Sequence, residues 1–194
     1  MTALLSRSTT IRAVALSVAL ITVAGAAARA QTSAATTYTL GVMGGLAVPT
    51  GDLSNFTSSG YNIGVTLGMQ QPGMPLGFRL EGSLTELPFS GNNSDKYRIY
   101  GIAADGLYNL GTPSSNGGLY LTGGVGYYGS REVGKDVFGN TVQTNVDWNF
   151  GLNAGLGYYL PLSGFTVNFE GRYQHVFSSP NSQGVFPITV GIIF

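Results

Sequence analysis

Residues 146–160 read VDWNFGLNAGLGYYL, and a large apolar side chain stands at almost every second position. The apolar set is Val146, Trp148, Phe150, Leu152, Leu156, Tyr158 and Leu160. A period of two places alternate side chains on opposite faces of a β-strand, and no helical period fits these residues. The stretch therefore predicts a long strand with one apolar face and one face made mainly of Gly, Asn and Asp.

The same alternation recurs along most of the chain and predicts eight strands. It is clear in 38–48, 61–70, 76–85, 146–160, 165–174 and 186–194. Two Gly- and Tyr-rich segments, 97–110 and 119–130, complete the set, although their pattern does not define which face is apolar. Long polar connections, among them TGDLSNFTSSG (50–60) and ELPFSGNNSDK (86–96), alternate with shorter turns that contain Pro and Gly. One all-β domain, residues 31–194, is predicted.

The first thirty residues have the pattern of a secretory signal peptide. Arg7 and Arg12 precede an apolar run from 13 to 28, and Ala28-Arg29-Ala30 forms an A-x-A cleavage site. The apolar run is shorter than the roughly 20 residues of a membrane-spanning helix. We therefore predict residues 1–30 to be a cleaved signal peptide. Removal of Arg7, Arg12 and Arg29 leaves six Lys and Arg against nine Asp and Glu, so no basic surface for nucleic acid is expected.

Two all-β folds can accommodate the alternation, a soluble sandwich and a membrane barrel. Only 9% of the residues are charged, against about 25% in an ordinary soluble domain. The polar face carries Gly, Thr, Asn and Ser, which suit a narrow lumen better than a solvated surface. The strands also have the length of about ten residues that a tilted membrane crossing needs. The sequence favours an eight-stranded, antiparallel, up-and-down transmembrane β-barrel.

Three further stretches carry a family resemblance: GGLAVPTGDLSN (44–55), FEGRYQHVF (169–177) and FPITVGIIF (186–194). With the signal peptide, they resemble the outer-membrane β-barrel domain proteins of Gram-negative-type bacteria. The resemblance implies a bacterial outer-membrane location, contact with outer-membrane lipid and delivery by the barrel-assembly machinery. It also implies that the alternating face of the final stretch is the assembly signal: Phe186, Ile188, Val190, Ile192 and Phe194.

Charged residues on the polar face are the first candidate site. Arg79 and Glu81 are two positions apart on the third predicted strand, and Glu170 and Arg172 are two apart on the seventh, the opposite strand of an eight-strand ring. An eight-stranded barrel is just wide enough for side chains to fill its interior. We predict a lumen charge network that closes the barrel, formed by Arg79, Glu81, Asp105, Asp147, Glu170 and Arg172. A selectivity filter of a small pore or passive transporter is the alternative.

The third outer loop, SREVGKDVFGNTVQTN (130–145), is the second candidate site. Gly139-Asn140 is a two-residue turn signal, and alternating residues flank it, so we predict a protruding hairpin. Its proposed interaction residues are Arg131, Glu132, Lys135, Asp136 and Phe138. These residues favour a structural or surface-interaction function through the extracellular loops, with an unidentified ligand and a monomeric barrel.

His175 raises an enzymatic alternative, a lipid A-modifying activity on the outer wall. Ser178 follows three positions later, so a strand period places the two side chains on opposite faces. No catalytic residues are therefore assigned. The chain has no Cys and one His, and neither a metal site nor a cofactor is expected.

Overall fold

The alternating segments form long strands in the computed structural model, which describes residues 36–71, 74–111, 117–136, 138–178 and 182–194. The predicted signal peptide, residues 1–30, lies outside the described residues. The strands are β1 (Thr37–Thr50), β2 (Gly60–Gln70), β3 (Leu76–Phe89), β4 (Asn92–Asn109), β5 (Gly118–Lys135), β6 (Thr141–Gln143), β7 (Asp147–Leu162), β8 (Phe165–Val176) and β9 (Gln183–Ile193). A short 3₁₀ helix, Gly51–Asn55, follows β1. In the described part of the chain, no helix is long and apolar enough to cross a membrane.

Eight of these strands close into an antiparallel ring. Each strand pairs with its neighbour in sequence, except that β5 pairs with β7 past the short β6. The seam is formed by β1 and β9, whose register runs from Gly41 opposite Ile193 to Thr50 opposite Gly184. The prediction of an eight-stranded, up-and-down barrel is confirmed. Closure leaves the ring without a free edge.

The two ends of the barrel differ. The turn end carries the end of β2, the start of β3, the end of β4, the start of β5 and the connection 163–164, together with the start of β1 and the end of β9. The loop end carries the 3₁₀ helix, the β3–β4 turn, the β5–β6 hairpin, the end of β8 and the start of β9. One connection is shorter than predicted, because only Ser90 and Gly91 separate β3 from β4, and Gly91 has a φ of +83°. Most of the predicted loop 86–96 is therefore a strand extension.

The barrel wall is apolar on its outer face and polar on its inner face, the reverse of a soluble protein. Large apolar side chains point outward and remain exposed, as at Leu46 (61%), Phe78 (61%) and Ile102 (64%). Buried polar side chains point inward, among them Asn62, Thr66, Thr122, Asn153, Asn168, Gln174 and Thr189. The facing of the two Gly- and Tyr-rich strands follows the same rule, since Tyr97, Tyr120 and Tyr128 are buried on the inside. An apolar exterior of this kind suits a lipid environment.

The interior at the loop end is filled by an apolar cluster. Its buried members are Ala47, Leu53, Leu87, Tyr97, Ile99, Tyr128, Val176 and Val185, and Phe89 packs against them. Leu53 comes from the 3₁₀ helix, which therefore folds over the barrel mouth. We call these residues the apolar plug. It explains why β3 extends into the predicted loop 86–96, since Leu87 and Phe89 are anchored in it.

Candidate functional site

Five charged side chains meet inside the barrel, and we call them the lumen cluster: Arg79, Glu81, Asp105, Glu170 and Arg172. Arg79 and Asp105 are neighbours in the β3–β4 register, while Glu170 and Arg172 lie on β8, the opposite strand of the ring. Each of the five side chains is no more than 5% exposed. The sequence prediction for these five residues therefore matches their placement.

Arg79 spans the lumen. Its Nη1 lies 2.6 Å from Glu170 Oε2, and its Nη2 lies 3.0 Å from Glu170 Oε1. The same guanidinium donates to Asp105 Oδ2 from Nε at 3.2 Å and from Nη2 at 3.0 Å. Hydrogen bonds between ionised groups are stronger than neutral ones, and paired donors fix their geometry. Arg79 thus links β3 to both β4 and β8.

Arg172 makes the second crossing in the opposite direction. Its Nη1 lies 3.0 Å from Asp105 Oδ2, and its Nη2 donates to Glu81 Oε1 on β3. Asp105 Oδ2 therefore accepts from both arginines. Two cations and three carboxylates form one continuous network across the lumen, with an excess of one negative charge when all are ionised.

Neutral side chains complete this network, and sequence reasoning did not identify them. The Tyr120 hydroxyl donates to Glu170 Oε2 at 2.6 Å, and its ring stacks on Tyr159 with centroids 4.2 Å apart. Asn153 Nδ2 donates to Asp105 Oδ1 at 2.9 Å. Alternation could have placed Asn153 inside, but the pairing with Asp105 depends on the strand register. With these residues, β3, β4, β5, β7 and β8 are all connected through the lumen.

Glycines that lie against the large rings make this filling possible. A Cβ atom at Gly157 would lie 2.2 Å from Tyr120 Cζ, and one at Gly126 would lie 2.5 Å from the Tyr128 ring. Real Cβ atoms do not approach other atoms so closely, so these two positions accept no side chain without a shift of the ring. The glycines of these strands thus leave the space that the inward-facing tyrosine rings occupy.

The prediction for Asp147 is wrong. Asp147 begins β7 at the loop end, opposite Ser130, and its side chain is exposed. Its Oδ2 accepts from Asn149 Nδ2 at 2.9 Å. Alternation gave the correct face for this residue but not its depth, because β7 starts at the mouth of the barrel. Asp147 therefore takes no part in the lumen cluster.

The third outer loop forms a hairpin whose turn differs from the prediction. β6 pairs with Val133, Gly134 and Lys135 of β5, so five residues, 136–140, connect the strands in place of the predicted two-residue Gly139-Asn140 turn. Asp136 organises the connection, since its carboxylate accepts from the backbone N–H groups of Phe138 at 2.9 Å and Asn140 at 2.8 Å. The Asn140 side chain also donates to it, and these hydrogen bonds lower the pKa of Asp136.

The five hairpin candidates do not share one environment. Phe138 is 86% exposed at the turn, and Glu132 and Lys135 are exposed on β5. Asp136 is occupied by the turn. Arg131 is only half-exposed, and its guanidinium lies 5.1 Å from the centroid of the Tyr100 ring. The expectation that Arg131 belongs to the exposed loop is wrong, because it lies on the outer wall below the hairpin.

The side chain of His175 and the alternating apolar side chains of β9 point outward, away from the lumen. The imidazole packs between aromatic rings, with centroid distances of 4.8 Å to Phe177 and 6.3 Å to Tyr173. The alternating face of β9 is exposed from Phe186 to Ile192, and Phe194 is 67% exposed. The backbone of Phe194 exchanges hydrogen bonds with Leu40 of β1 at 2.8 and 3.0 Å. The predicted assembly residues therefore form one apolar stripe beside the seam.

Comparisons with solved structures reveal the same architecture in bacterial surface proteins. A major outer membrane protein of Thermus thermophilus is 15% identical, with a TM-score of 0.60, over 82% of this chain and 98% of that one. Neisserial surface protein A is 12% identical, with a TM-score of 0.53, over 82% and 97%. Ail of Yersinia pestis, in complex with the heparin analogue sucrose octasulfate, is 13% identical, with a TM-score of 0.51, over 82% and 97%. At these identities the likeness concerns the fold.

The sequence also matches a protein family, over more of the chain than the solved structures cover. A search of the curated proteins found no match. A family model described as "Outer membrane protein beta-barrel domain" matches residues 16–194. The closed ring, the apolar exterior and the buried polar lumen agree with that description, and the bacterial outer membrane is the location that they indicate. The chain therefore belongs to the outer membrane protein beta-barrel domain family.

Proposed function

We propose that this outer-membrane barrel is closed to solutes and acts through the surface at its loop end. The observation that carries the proposal is the filled interior. The lumen cluster crosses the barrel nearer its turn end, and the apolar plug occupies the loop end. A pore needs a continuous wet path, and narrow apolar constrictions exclude water. The two obstructions lie in series, so opening one of them does not open the barrel.

The first prediction concerns conductance. The purified protein, reconstituted in a planar bilayer, should give no stable channel in KCl solution, whereas a large trimeric porin inserted in parallel should conduct. Heat-modifiable migration on a gel should show that the reconstituted barrel is folded. A reproducible open channel from the folded protein would contradict the closed-lumen proposal and support the pore alternative.

The β5–β6 hairpin supports the surface role. Phe138 presents its ring to solvent, flanked by the exposed charge of Lys135. β6 pairs with β5 along one edge, and strands of this kind can accept an extended partner segment. The hairpin residues beyond Glu132 that the structure describes contribute nothing to the lumen cluster or the apolar plug. Residues of the hairpin can therefore be exchanged, and a different ligand bound, without lowering the stability of the barrel.

The second prediction separates the hairpin from the barrel. Glu132 and Thr144 already face each other, with the Thr144 N–H donating to the Glu132 carbonyl at 3.1 Å. Replacing residues 133–143 by Asn-Gly should therefore close a two-residue hairpin and leave heat-modifiability unchanged. Cells displaying either form should be applied to surfaces coated with heparin, collagen or fibronectin; heparin is included because the Ail structure contains a heparin analogue. Binding should fall at least on one surface.

A matched control keeps the hairpin and changes only its tip, by Phe138→Ser. This variant should retain the β5–β6 pairing and lose binding only where the exposed ring is the contact. Equal binding of the shortened and wild-type forms on every coated surface would contradict a role for the hairpin. An enzymatic role has less support, since the described neighbours of His175 are aromatic rings and not a carboxylate.

The third prediction concerns assembly. The apolar stripe of β9, ending at Phe194, is the proposed signal for the barrel-assembly machinery, because it stays outside the packed lumen. Deleting Phe194 should lower the amount of folded barrel in cell envelopes several-fold, while refolding of the purified protein in detergent continues. Thr189→Ser, an inward change on the same strand, should not lower the cellular amount. Unchanged assembly after deletion of Phe194 would refute the signal.

A further inference from the structure

Charged residues at the loop end of β4 and β5 are sorted by face. Lys96 and Arg98 share the outward face of β4 with Ile102, which is 64% exposed. Arg131 pairs with Arg98 in the β4–β5 register, so it lies on the same outward face. Asp95 and Glu132 occupy the alternate positions, which face inward. The outer wall just above the apolar band is therefore basic.

One buried carboxylate pairs with two of these three cations and offsets one of their three charges. Glu86, whose side chain is 4% exposed, accepts from Lys96 Nζ at 2.5 Å and from Arg98 Nη2 at 2.5 Å. Arg131 forms no salt bridge with the described residues; it donates to the Tyr100 hydroxyl, and its buried Nε has no hydrogen-bond partner. Three cations and one carboxylate leave a net charge of +2 on this part of the wall. Lys96, Arg98, Arg131 and Glu86 are called the wall cluster below.

An apolar groove crosses the outer wall beside the wall cluster, and Arg131 is the member of the cluster that lines it. It has a volume of about 830 Å³, and its lining includes Val65, Leu84, Ile102 and Trp148, with Tyr100 and Arg131. Gly82 contributes no side chain to the floor, and a Cβ atom there would meet only Val65 Cγ2, at 3.7 Å. The groove therefore combines a cation, Arg131, with an apolar body, and an amphiphilic anion requires both in its binding site.

We propose that the wall cluster and this groove form a binding site for a phosphorylated lipid of the outer membrane. The phosphate would accept from Arg131 and Arg98, whose planar guanidiniums suit phosphate oxygens, and an acyl chain would lie along the groove. A soluble acidic polymer could use the cations but not the apolar body. The site is separate from the hairpin, so the proposal does not depend on the surface role.

Trp148 gives a direct test, because it lines the groove and is the single Trp of the chain. The protein is refolded into phosphatidylcholine vesicles that contain a minor fraction of lipid with brominated acyl chains, which quench a Trp they contact. The brominated lipid is either phosphatidic acid or phosphatidylcholine. We expect phosphatidic acid to be favoured roughly fivefold in the quenching constant, as for a partly exposed ion pair.

Two variants assign the effect to the two parts of the site. Arg131→Gln leaves Glu86 with both of its partners and should reduce the preference below about twofold, the loss expected for one such ion pair. Gly82→Leu fills the groove and should weaken quenching by both brominated lipids. Lys135→Gln is the matched control, since it removes the same charge about 13 Å farther along β5, beyond the screening length of about 8 Å. This control should keep the wild-type preference.

Three outcomes would overturn the proposal. The first is no preference for phosphatidic acid in the wild-type protein. The second is the same preference in folded Arg131→Gln as in the wild type. The third is full relief of the quenching by millimolar glycerol phosphate, which would show that the cations bind a free phosphate without the acyl chain. Circular dichroism and heat-modifiable migration should show that each variant is folded.

Discussion

Replacing Arg79 by Met should lower the free energy of unfolding by about 3–5 kcal/mol, the cost of leaving buried charges without a partner. Arg79 contacts Glu170 and Asp105, and both carboxylates are almost completely buried. Without Arg79, three carboxylates would face the single cation of Arg172. The large effect thus comes from uncompensated charge rather than from the loss of one favourable contact.

The measurement is urea unfolding of the refolded protein in detergent micelles, followed by Trp148 fluorescence. The double variant Arg79→Met, Glu170→Gln removes one cation and one anion and should recover part of the loss. Lys135→Met, an exposed change of the same type, should alter the free energy by less than about 0.5 kcal/mol. A loss below about 1 kcal/mol in Arg79→Met would mean that water solvates the lumen cluster.

Replacing Gly45 by Ala should destabilise the seam of the barrel by about 3 kcal/mol, the upper end of the range for overpacking. A Cβ atom at Gly45 would lie 1.9 Å from the backbone oxygen of Ile188 and 2.7 Å from Thr189 Cα. Backbone atoms cannot rotate away as a side chain does. β1 and β9 must therefore separate locally, in the strand pair that closes the ring.

Gly44, the residue before Gly45, offers a matched control. A Cβ atom at Gly44 would have no neighbour closer than 3.7 Å, so Gly44→Ala should unfold at nearly the wild-type urea concentration. Both variants should be compared by urea unfolding and by the temperature at which the folded gel band disappears. Equal stabilities for the two variants would show that the seam tolerates the additional methyl group.

Alternation alone predicted most of this fold, since side-chain period sets the face of each strand residue. It placed Arg79, Glu81, Glu170 and Arg172 inside, whereas the pattern around Asp105 did not define a face. Alternation carries no information about height along the barrel, which explains the error at Asp147. Height depends on strand register, and register is fixed by the twist of the sheet and by how long each hairpin extends.

The apolar plug and the wall cluster could not be predicted, because they depend on packing between residues that are distant in sequence. The apolar plug joins Leu53, Leu87 and Val185, which belong to three separate segments. Its members look like ordinary strand or loop residues, so 86–96 was predicted as a polar loop. Similarly, Arg98 and Arg131 become neighbours only through the β4–β5 register. The wall cluster and its groove could therefore not be derived from spacing along the chain.

The seam has a kinetic consequence. Most other strand pairs in the ring join consecutive segments, whereas the seam joins residues 41–50 to residues 184–193. Closing a loop of about 150 residues costs roughly 2 kcal/mol more entropy than closing one of about 20, if the cost rises with the logarithm of length. The seam should therefore form last, after the consecutive hairpins have built an open sheet. Until that step, the two unpaired edges can bind other strands, so a folding intermediate of this protein needs protection that the finished barrel does not.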